Sequence, residues 1–186
     1  MLYDNALFTT ALIETYQVTG KEEFADFAND LLQYIDRDMT STEGAFFSAE
    51  DADSEGVEGK FYVWTQEEVE QLLGRKTASV VIPYYNITQA GNYEGKNILN
   101  ITREAKIVAK EVGMPETDFK AEVKIARDKL LEVRSRRIRP LLDDKVLTSW
   151  NALMISAMAK TGRVLDDADR IQKSARAMEF LLSRLR

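Results

Sequence analysis

The sequence predicts a mainly α-helical fold built from antiparallel helical hairpins, with one small β-hairpin at residues 45–64. Three observations predict it. Apolar residues recur every three or four positions over most of the 186 residues, which is typical of amphipathic helices. The breaks between helices are short, as at Thr19 and Gly20, and short breaks favour antiparallel neighbours. One stretch, Gly44 to Trp64, has instead the aromatic and acidic composition of strands joined by a loop.

The first two helices are predicted from Asp4 to Val18 and from Lys21 to Met39. Each carries an apolar stripe at helical spacing, Leu7, Phe8, Ala11, Leu12 and Tyr16 in the first and Phe24, Phe27, Ala28, Leu31, Leu32 and Ile35 in the second. Gly20 is expected to end the first helix, because glycine readily adopts the left-handed conformation after a last turn. The two helices therefore form the first predicted hairpin.

The segment from Gly44 to Trp64 contains two strand-like runs, Ala45 to Ala49 and Lys60 to Trp64. We expect these runs to pair as a β-hairpin. The loop between them is rich in carboxylates, namely Glu50, Asp51, Asp53, Glu55 and Glu58. Long loops on a rigid scaffold often carry binding or catalytic groups, so this loop is the first candidate for a functional site.

The rest of the chain reads as helices. Thr65 and Glu68 match a capping box, which predicts a helix that continues to Gly74. Further helices are predicted at Thr77 to Tyr85, Arg103 to Val112, Asp118 to Arg139, Ser149 to Thr161 and Asp167 to Leu185. The basic run from Arg134 to Arg139 is interpreted as a solvated helix end that complements the dipole, in preference to an anion site. Helical hairpins at both ends of the chain are typical of a helical array or toroid.

Composition limits the chemistry. The chain has 25 basic and 31 acidic residues, a net charge of −6 that argues against non-specific nucleic-acid binding. No run reaches the about 18 apolar residues of a membrane span, and the first residues lack the pattern of a signal peptide, so we expect a cytoplasmic protein without a membrane partner. There is no cysteine and no histidine, so acid–base chemistry would need Asp, Glu, Tyr or Lys. No cofactor is expected.

Carboxylates of the central segment and of a later loop are the candidate catalytic groups: Asp51, Asp53, Glu55, Asp143 and Asp144. Glycoside chemistry uses two carboxyl groups whose environments push their pKa values apart. The candidate substrate-binding residues are Tyr3, Tyr62, Trp64, Trp150 and Asn151. The alternative, which we prefer, is that the acids form turns and caps, that the aromatic side chains are core residues, and that Asn151 is a buried anchor. Lys145 could also neutralise Asp143 or Asp144.

The spacing of Asp51, Asp53, Glu55 and Gly56 is similar to the start of a calcium-binding loop. An EF-hand loop needs a bidentate acidic ligand at its twelfth position. Counted from Asp51, that position is Tyr62. We therefore expect calcium binding here to be weak or absent, and no metal ligand is assigned.

Four motifs, MLYDNA, FFSAEDADSEGVEGKFYVW, GNYEGKNIL and RPLLDDKVLTSWNALMISA, occur in this order. Together they resemble the spermatogenesis-associated, thioredoxin-domain-containing protein family. The resemblance implies an (α/α)6 toroid of the six-hairpin glycosidase type, which in the family follows a thioredoxin-like domain. Residues 1–186 are then expected to form a single, partial toroid domain that lacks the thioredoxin-like domain and the later hairpins. Because a half ring leaves apolar helix faces uncovered, we expect this fragment to self-associate and to be catalytically silent alone.

Two functions follow from the resemblance. By analogy of fold, the chain belongs to a carbohydrate-acting protein, a glycosidase or sugar epimerase with a sugar substrate. The alternative is a non-catalytic binding or scaffolding module that works with the attached thioredoxin-like domain. The absence of histidine favours the alternative, since epimerases of this fold rely on histidines.

Overall fold

The protein is described by a computed structural model, which covers residues 1–185 and leaves Arg186 outside the described residues. Within residues 1–185 the helices are α1 (Leu2–Thr19), α2 (Glu22–Asp38), α3 (Gln66–Tyr84), α4 (Ala105–Glu111), α5 (Glu116–Ser135), α6 (Thr148–Val164) and α7 (Ala168–Arg184). The strands are β1 (Ala49–Glu50), β2 (Asp53–Ser54), β3 (Val57–Glu58) and β4 (Leu142–Asp143). The prediction of a mainly α-helical fold with a small β-hairpin inside residues 45–64 is confirmed.

The chain divides into two compact units. The terminal unit consists of Met1–Asp51 and Leu142–Arg186, and the inserted unit is Ala52–Leu141. None of the helices in residues 1–185 combines the length and the apolar character that a membrane span requires.

The terminal unit is built from α1, α2, α6 and α7. Helix α1 packs against both α2 and α6, and α6 packs against α7. Its main core consists of buried apolar side chains from all four helices and from the segment after α2, namely Leu2, Ala6, Leu32, Ile35, Met39, Phe46, Met154, Ile155, Ala157, Met158, Ala177 and Leu181. Burial of this apolar surface is the main force that holds the unit together.

The buried faces of α1 and α2 agree only in part with the predicted stripes: Leu12 on α1 and Ala28, Leu32 and Ile35 on α2 are buried as predicted. Gly20 ends α1 as predicted, with a left-handed φ of 66°. The core face of α1, however, is formed by Leu2, Ala6, Thr9, Leu12 and Ile13. Leu7 and Phe8 on α1 and Phe27 on α2 are more than half exposed. The predicted stripes combined two apolar faces of each helix, and only one of these faces is covered here.

Helices α6 and α7 meet at a close approach. Gly162 directly follows the predicted end of this helix at Thr161, but it lies inside α6. A Cβ atom at Gly162 would come within 2.9 Å of the Asp167 carbonyl oxygen, so a glycine is needed where the chain turns into α7. Asp167 then caps α7 by accepting a hydrogen bond from the Arg170 N–H.

The inserted unit contains α3, α4, α5 and the β2–β3 hairpin. The capping box at the start of α3 is confirmed, because Thr65 Oγ1 accepts from Glu68 N–H and the Glu68 carboxylate accepts from Thr65 N–H. Gly74, at φ 74° and ψ 160°, interrupts the helical backbone of α3, near the predicted end of one helix and start of the next. Helix α3 packs on α5, and α4 packs on both.

The strands of the predicted hairpin are wrong in detail. Ala45–Ala49 does not pair with Lys60–Trp64. Phe46 forms a bridge with Thr40, and Trp64 forms a bridge with Asn97. The hairpin lies between the two predicted runs, with Asp53 opposite Glu58 and Ser54 opposite Val57. The aromatic runs supply side chains to the cores of two different units, and their apolar composition alone did not reveal this.

Candidate functional site

The predicted site residues divide between the two units. Those in the terminal unit are Tyr3, Asp51, Asp143, Asp144, Trp150 and Asn151, and those in the inserted unit are Asp53, Glu55, Tyr62 and Trp64. The predicted site residues therefore form two separate sets, one in each unit.

In the terminal unit, the acidic residues lie on a two-stranded pair. Strand β1 runs antiparallel to β4, with Ala49 opposite Asp143 and Glu50 opposite Leu142. The Ser48 N–H and hydroxyl both donate to the Asp143 carbonyl oxygen, at 3.1 and 3.0 Å. Asp51 directly follows β1 and is exposed at the surface. The pairing fixes the backbone of β4, so the Asp143 side chain projects from a defined position.

The Asp143 carboxylate is held as an anion. The Lys145 ammonium donates to both carboxylate oxygens, at 3.1 and 3.2 Å. This hydrogen bond, with further bonds from Ser48 and the Lys145 backbone, lowers the pKa of Asp143 below its ordinary value although desolvation opposes the shift. A general acid at neutral pH needs the opposite shift. Asp144 is exposed at the surface beside it.

Two of the aromatic candidates contact each other. The Tyr3 and Trp150 rings meet edge to face, with centroids 4.8 Å apart and planes at 65°. Both residues are partly buried, and Trp150 packs against the main core of the terminal unit. The contact joins the start of α1 to the start of α6, which is a packing role that an edge-to-face pair fulfils well.

Asn151 clamps a backbone segment 105 residues away in the sequence. Its Oδ1 accepts from the Phe46 N–H at 2.8 Å, and its Nδ2 donates to the Phe46 carbonyl at 2.9 Å and the Leu147 carbonyl at 3.1 Å. The side chain is completely buried. Because both halves of the amide are occupied by backbone, the geometry matches the buried anchor that the sequence offered as an alternative.

In the inserted unit, Asp53 and Glu55 lie on the β2–β3 hairpin. The two-residue loop is formed by Glu55 and Gly56, which both have positive φ, 55° and 73°. This is the backbone pattern of the type I′ turn that suits the twist of a two-stranded hairpin. The Glu55 carboxylate lies 2.7 Å from the Lys60 ammonium. Glu55 is therefore a turn residue in an unfavourable conformation, and its charge is already paired.

Trp64 is covered by an arginine. The Arg137 guanidinium lies 3.9 Å from the centre of the Trp64 ring, and its Nη1 donates to the Phe61 and Val63 carbonyls at 3.0 and 2.8 Å. Trp64 is only 2% exposed. Tyr62 packs edge to face on Phe61 and lies 5.4 Å from the Arg134 guanidinium. The stacked cation and its two hydrogen bonds to the Phe61–Val63 backbone make this a dense polar-aromatic cluster.

The interpretation of the basic run as a solvated helix end is wrong for Arg137. Helix α5 ends at Ser135, four residues before the predicted end. The chain then turns back, and Arg137 becomes largely buried beside Trp64. Burial lowers its pKa, with partial compensation by Glu68, but a guanidinium remains charged at neutral pH.

Two further asparagines act as clamps, and sequence reasoning missed them. Asn97 is 1% exposed, accepts from the Thr88 N–H and donates to the Thr88 and Trp64 carbonyls. Asn92 exchanges two hydrogen bonds with the Ile98 backbone. Both lie in the motif GNYEGKNIL, where asparagine in a glycine-rich turn was the available signal.

No group of three or more carboxylates among residues 1–185 is arranged to hold a metal ion. The acids of the predicted calcium-like loop are separated instead: Asp51 lies after β1, Asp53 begins β2, and Glu55 is in the turn. Weak or absent calcium binding stays a prediction.

Comparisons with known proteins identify relatives. The chain is 33% identical to spermatogenesis-associated protein 20 of Homo sapiens and 31% identical to the protein of that name in Mus musculus, in each case over 97% of this chain. It is 29% identical to an uncharacterised protein of Caenorhabditis elegans, again over 97% of this chain. The chain spans only about a quarter of the length of these relatives, 26 to 28%. No family model matches it.

Proposed function

Homology to spermatogenesis-associated protein 20 supports membership of that family, and on this premise we propose that the chain is a non-catalytic binding or scaffolding module of a longer protein. The observation that carries the proposal is an apolar stripe on α7. Ile171, Met178 and Leu182, with Leu185 just after the helix, follow one another at intervals of seven, four and three. This spacing places them on one side of a helix, over a length of about 20 Å.

The α7 stripe is exposed. Its four members are 39 to 52% accessible, whereas the neighbouring face of the helix, with Ser174, Ala177 and Leu181, is buried. Soluble proteins rarely leave a contiguous apolar surface uncovered, and such surfaces mark contacts with other polypeptide. The exposed Phe8 and Phe27 on the first two helices of the same unit point to the same role.

The occupant that we propose for the α7 stripe is a further part of the same longer polypeptide. Its relatives are about four times as long as this chain, so they hold ample sequence for it. In an (α/α)6 toroid, which the motifs suggest, each helical hairpin packs against neighbours on both sides. A following hairpin would cover the α7 stripe, and the thioredoxin-like domain would be carried by the same scaffold.

The carboxylates support binding or scaffolding over catalysis. Asp143 has a lowered pKa because Lys145 holds it, and Glu55 is paired with Lys60. The lowered pKa of Asp143 disfavours the protonated form that a glycosidase general acid needs. A carbohydrate-directed activity remains the competing proposal, and it is supported by the family resemblance and by analogy of fold.

The test uses residues 1–186 in solution at low micromolar concentration. We expect light scattering to show self-association, because the α7 stripe lacks its partner. Replacing Met178→Glu together with Leu182→Glu should give a monomer, since charges on the stripe oppose its burial. The control is Ile125→Glu on α5, which changes an even more exposed apolar residue outside the stripe; this variant should still associate.

A monomeric parent chain that does not bind apolar dyes would contradict the proposal. The competing carbohydrate function is tested separately on the longer protein with a glycoside library. Turnover that is abolished by Asp143→Asn, without loss of stability, would favour catalysis instead.

A further inference from the structure

The inserted unit contains a cavity of about 340 Å³ with a charged wall. Four of the residues that line it are cations, Lys60, Lys96, Arg136 and Arg137, and two are acids, Glu55 and Glu68. The volume falls in the range of sites for small organic molecules. A concentration of cations in one cavity is notable in a chain whose net charge is −6.

Three of the four cations have an acidic neighbour. Lys60 pairs with Glu55, Arg136 pairs with Glu132, and the Arg137 Nη2 atom lies 3.9 Å from Glu68 Oε1. Lys96 forms no ion pair within the part of the chain that the structure describes. Even when Glu132, which lies outside the lining, is counted, four cations face three acids, an excess of one positive charge.

The Arg137 guanidinium is held in a fixed position, and Lys96 projects from a fixed backbone. Arg137 is anchored by the Phe61 and Val63 carbonyls, which bind its Nη1. Its Nη2 is too far from Glu68 for a hydrogen bond and remains able to donate. The backbone of Lys96 is fixed by hydrogen bonds to Tyr93 and Asn92, so the base of its side chain is also held. Fixed donors lose little entropy when a ligand binds.

The uncharged part of the wall consists of Ser54 and three apolar residues. Phe61 and Val63 line it from one side and are nearly buried, whereas Ile138 lines it and is more than half exposed. A site with a few placed cations and an apolar surface suits an organic molecule that carries an anionic group. A fully hydrated inorganic ion would not use the apolar part.

We infer that this cavity binds a small organic oxyanion, in which a carboxylate or phosphoryl group contacts Lys96 and Arg137 while the organic part lies against the exposed Ile138. An arginine fork and a lysine point charge are the usual partners of both oxyanions. The sequence offered an anion site at the Arg134–Arg139 run only as the less favoured interpretation. The turn after α5 brings Arg137 into the wall of this cavity, which supports an anion site over a solvated helix end for this residue.

The test measures binding of three probes to the full chain by calorimetry: phenyl phosphate, benzoate and the neutral phenyl β-glucoside. We expect at least one anionic probe to bind, with affinity that falls as salt rises, and the glucoside to show no binding. Tighter binding of phenyl phosphate identifies a phosphoryl ligand, and tighter binding of benzoate identifies a carboxylate. Amide NMR shifts confined to Phe61, Lys96 and their neighbours would locate the site.

The key variant is Lys96→Gln, which removes an exposed charge without breaking an ion pair. It should weaken binding of the anionic probe about tenfold, the effect of losing one charge-assisted hydrogen bond. The matched control is Lys129→Gln on α5, another exposed lysine of the same unit that lies outside the cavity. Three results would each overturn the inference: no binding of either anion up to about 10 mM, equal binding of the neutral glucoside, or equal loss of affinity in both variants.

Discussion

Replacing Asn151 by alanine tests how much one buried side chain contributes to the terminal unit. The Phe46 N–H and carbonyl point away from the bridge that Phe46 forms with Thr40, and the Asn151 amide satisfies both. Alanine would leave these two backbone groups buried and unpaired. Each such group costs about 1–3 kcal/mol, so the variant should lose about 2–6 kcal/mol of stability. The Leu147 carbonyl adds little, because it still accepts from the backbone N–H of residue 151.

The assay is urea unfolding of the terminal unit. The chain has two tryptophans, Trp150 in this unit and Trp64 in the other, so fluorescence in a Trp64→Phe background reports on the terminal unit alone. A loss of about 4 kcal/mol should lower the midpoint by about 2 M if the slope is about 2 kcal/mol per molar. The control, Asn5→Ala, removes a single surface hydrogen bond to Met1 and should change stability by about 0.5 kcal/mol or less.

A second variant separates hydrogen bonding from general disruption at the site. Asn151→Asp keeps an acceptor for the Phe46 N–H but buries a carboxylate that cannot donate to the Phe46 carbonyl. Protonation restores a donor, so its stability relative to the parent should improve as pH falls. A loss below about 1 kcal/mol for Asn151→Ala, with the Phe46 amide still protected from hydrogen exchange, would refute the clamp argument.

Other predictions follow from single contacts. Asp143 has a lowered pKa in the folded chain, so its contribution to stability is present above the unfolded pKa of 3.8 and is lost as pH falls through the folded pKa. In thermal unfolding, Asp143→Asn should lower the melting temperature at pH 7. The melting temperature of this variant should also fall less steeply than that of the parent as the solution is made acidic. In urea unfolding, Gly91→Ala should destabilise the inserted unit by about 3 kcal/mol or more. The reason is that a Cβ atom at residue 91 would lie 2.2 Å from the Lys96 carbonyl oxygen. Calorimetry should find no stoichiometric micromolar calcium site at residues 51–55, and a site that is lost in Asp53→Ala would contradict this.

Local signals in the sequence predicted the local structure well. Gly20 ends α1, Thr65 and Glu68 form the capping box, and Asp167 begins the last helix, each as expected. These features depend on residues within one turn of each other, so the sequence contains all that determines them. Their success explains why the helix positions were predicted more accurately than the faces that are buried.

Contacts between distant residues were not predictable in this way. Nothing near Phe46 indicates that its backbone is bound by Asn151, and nothing near Trp64 indicates that Arg137 covers it. The apolar character of Leu7 and Phe8 also gave no sign that this side of α1 stays exposed. Periodicity identifies an apolar face but does not identify what covers it. Helix α1 has apolar residues on more than one side, so periodicity alone could not show which side is buried.

The pairing of β1 with β4 has a consequence for synthesis. The chain leaves the terminal unit after β1 and returns to it at β4, the antiparallel partner of β1. The inserted unit is therefore one continuous segment between these two strands. A ribosome therefore releases residues 52–141 before the second half of the terminal unit exists. Domains fold as units while they are made, usually from the N-terminus onward. Here the middle of the chain can fold before the terminal unit is complete, because the core face of α1 and α2 stays uncovered until α6 emerges.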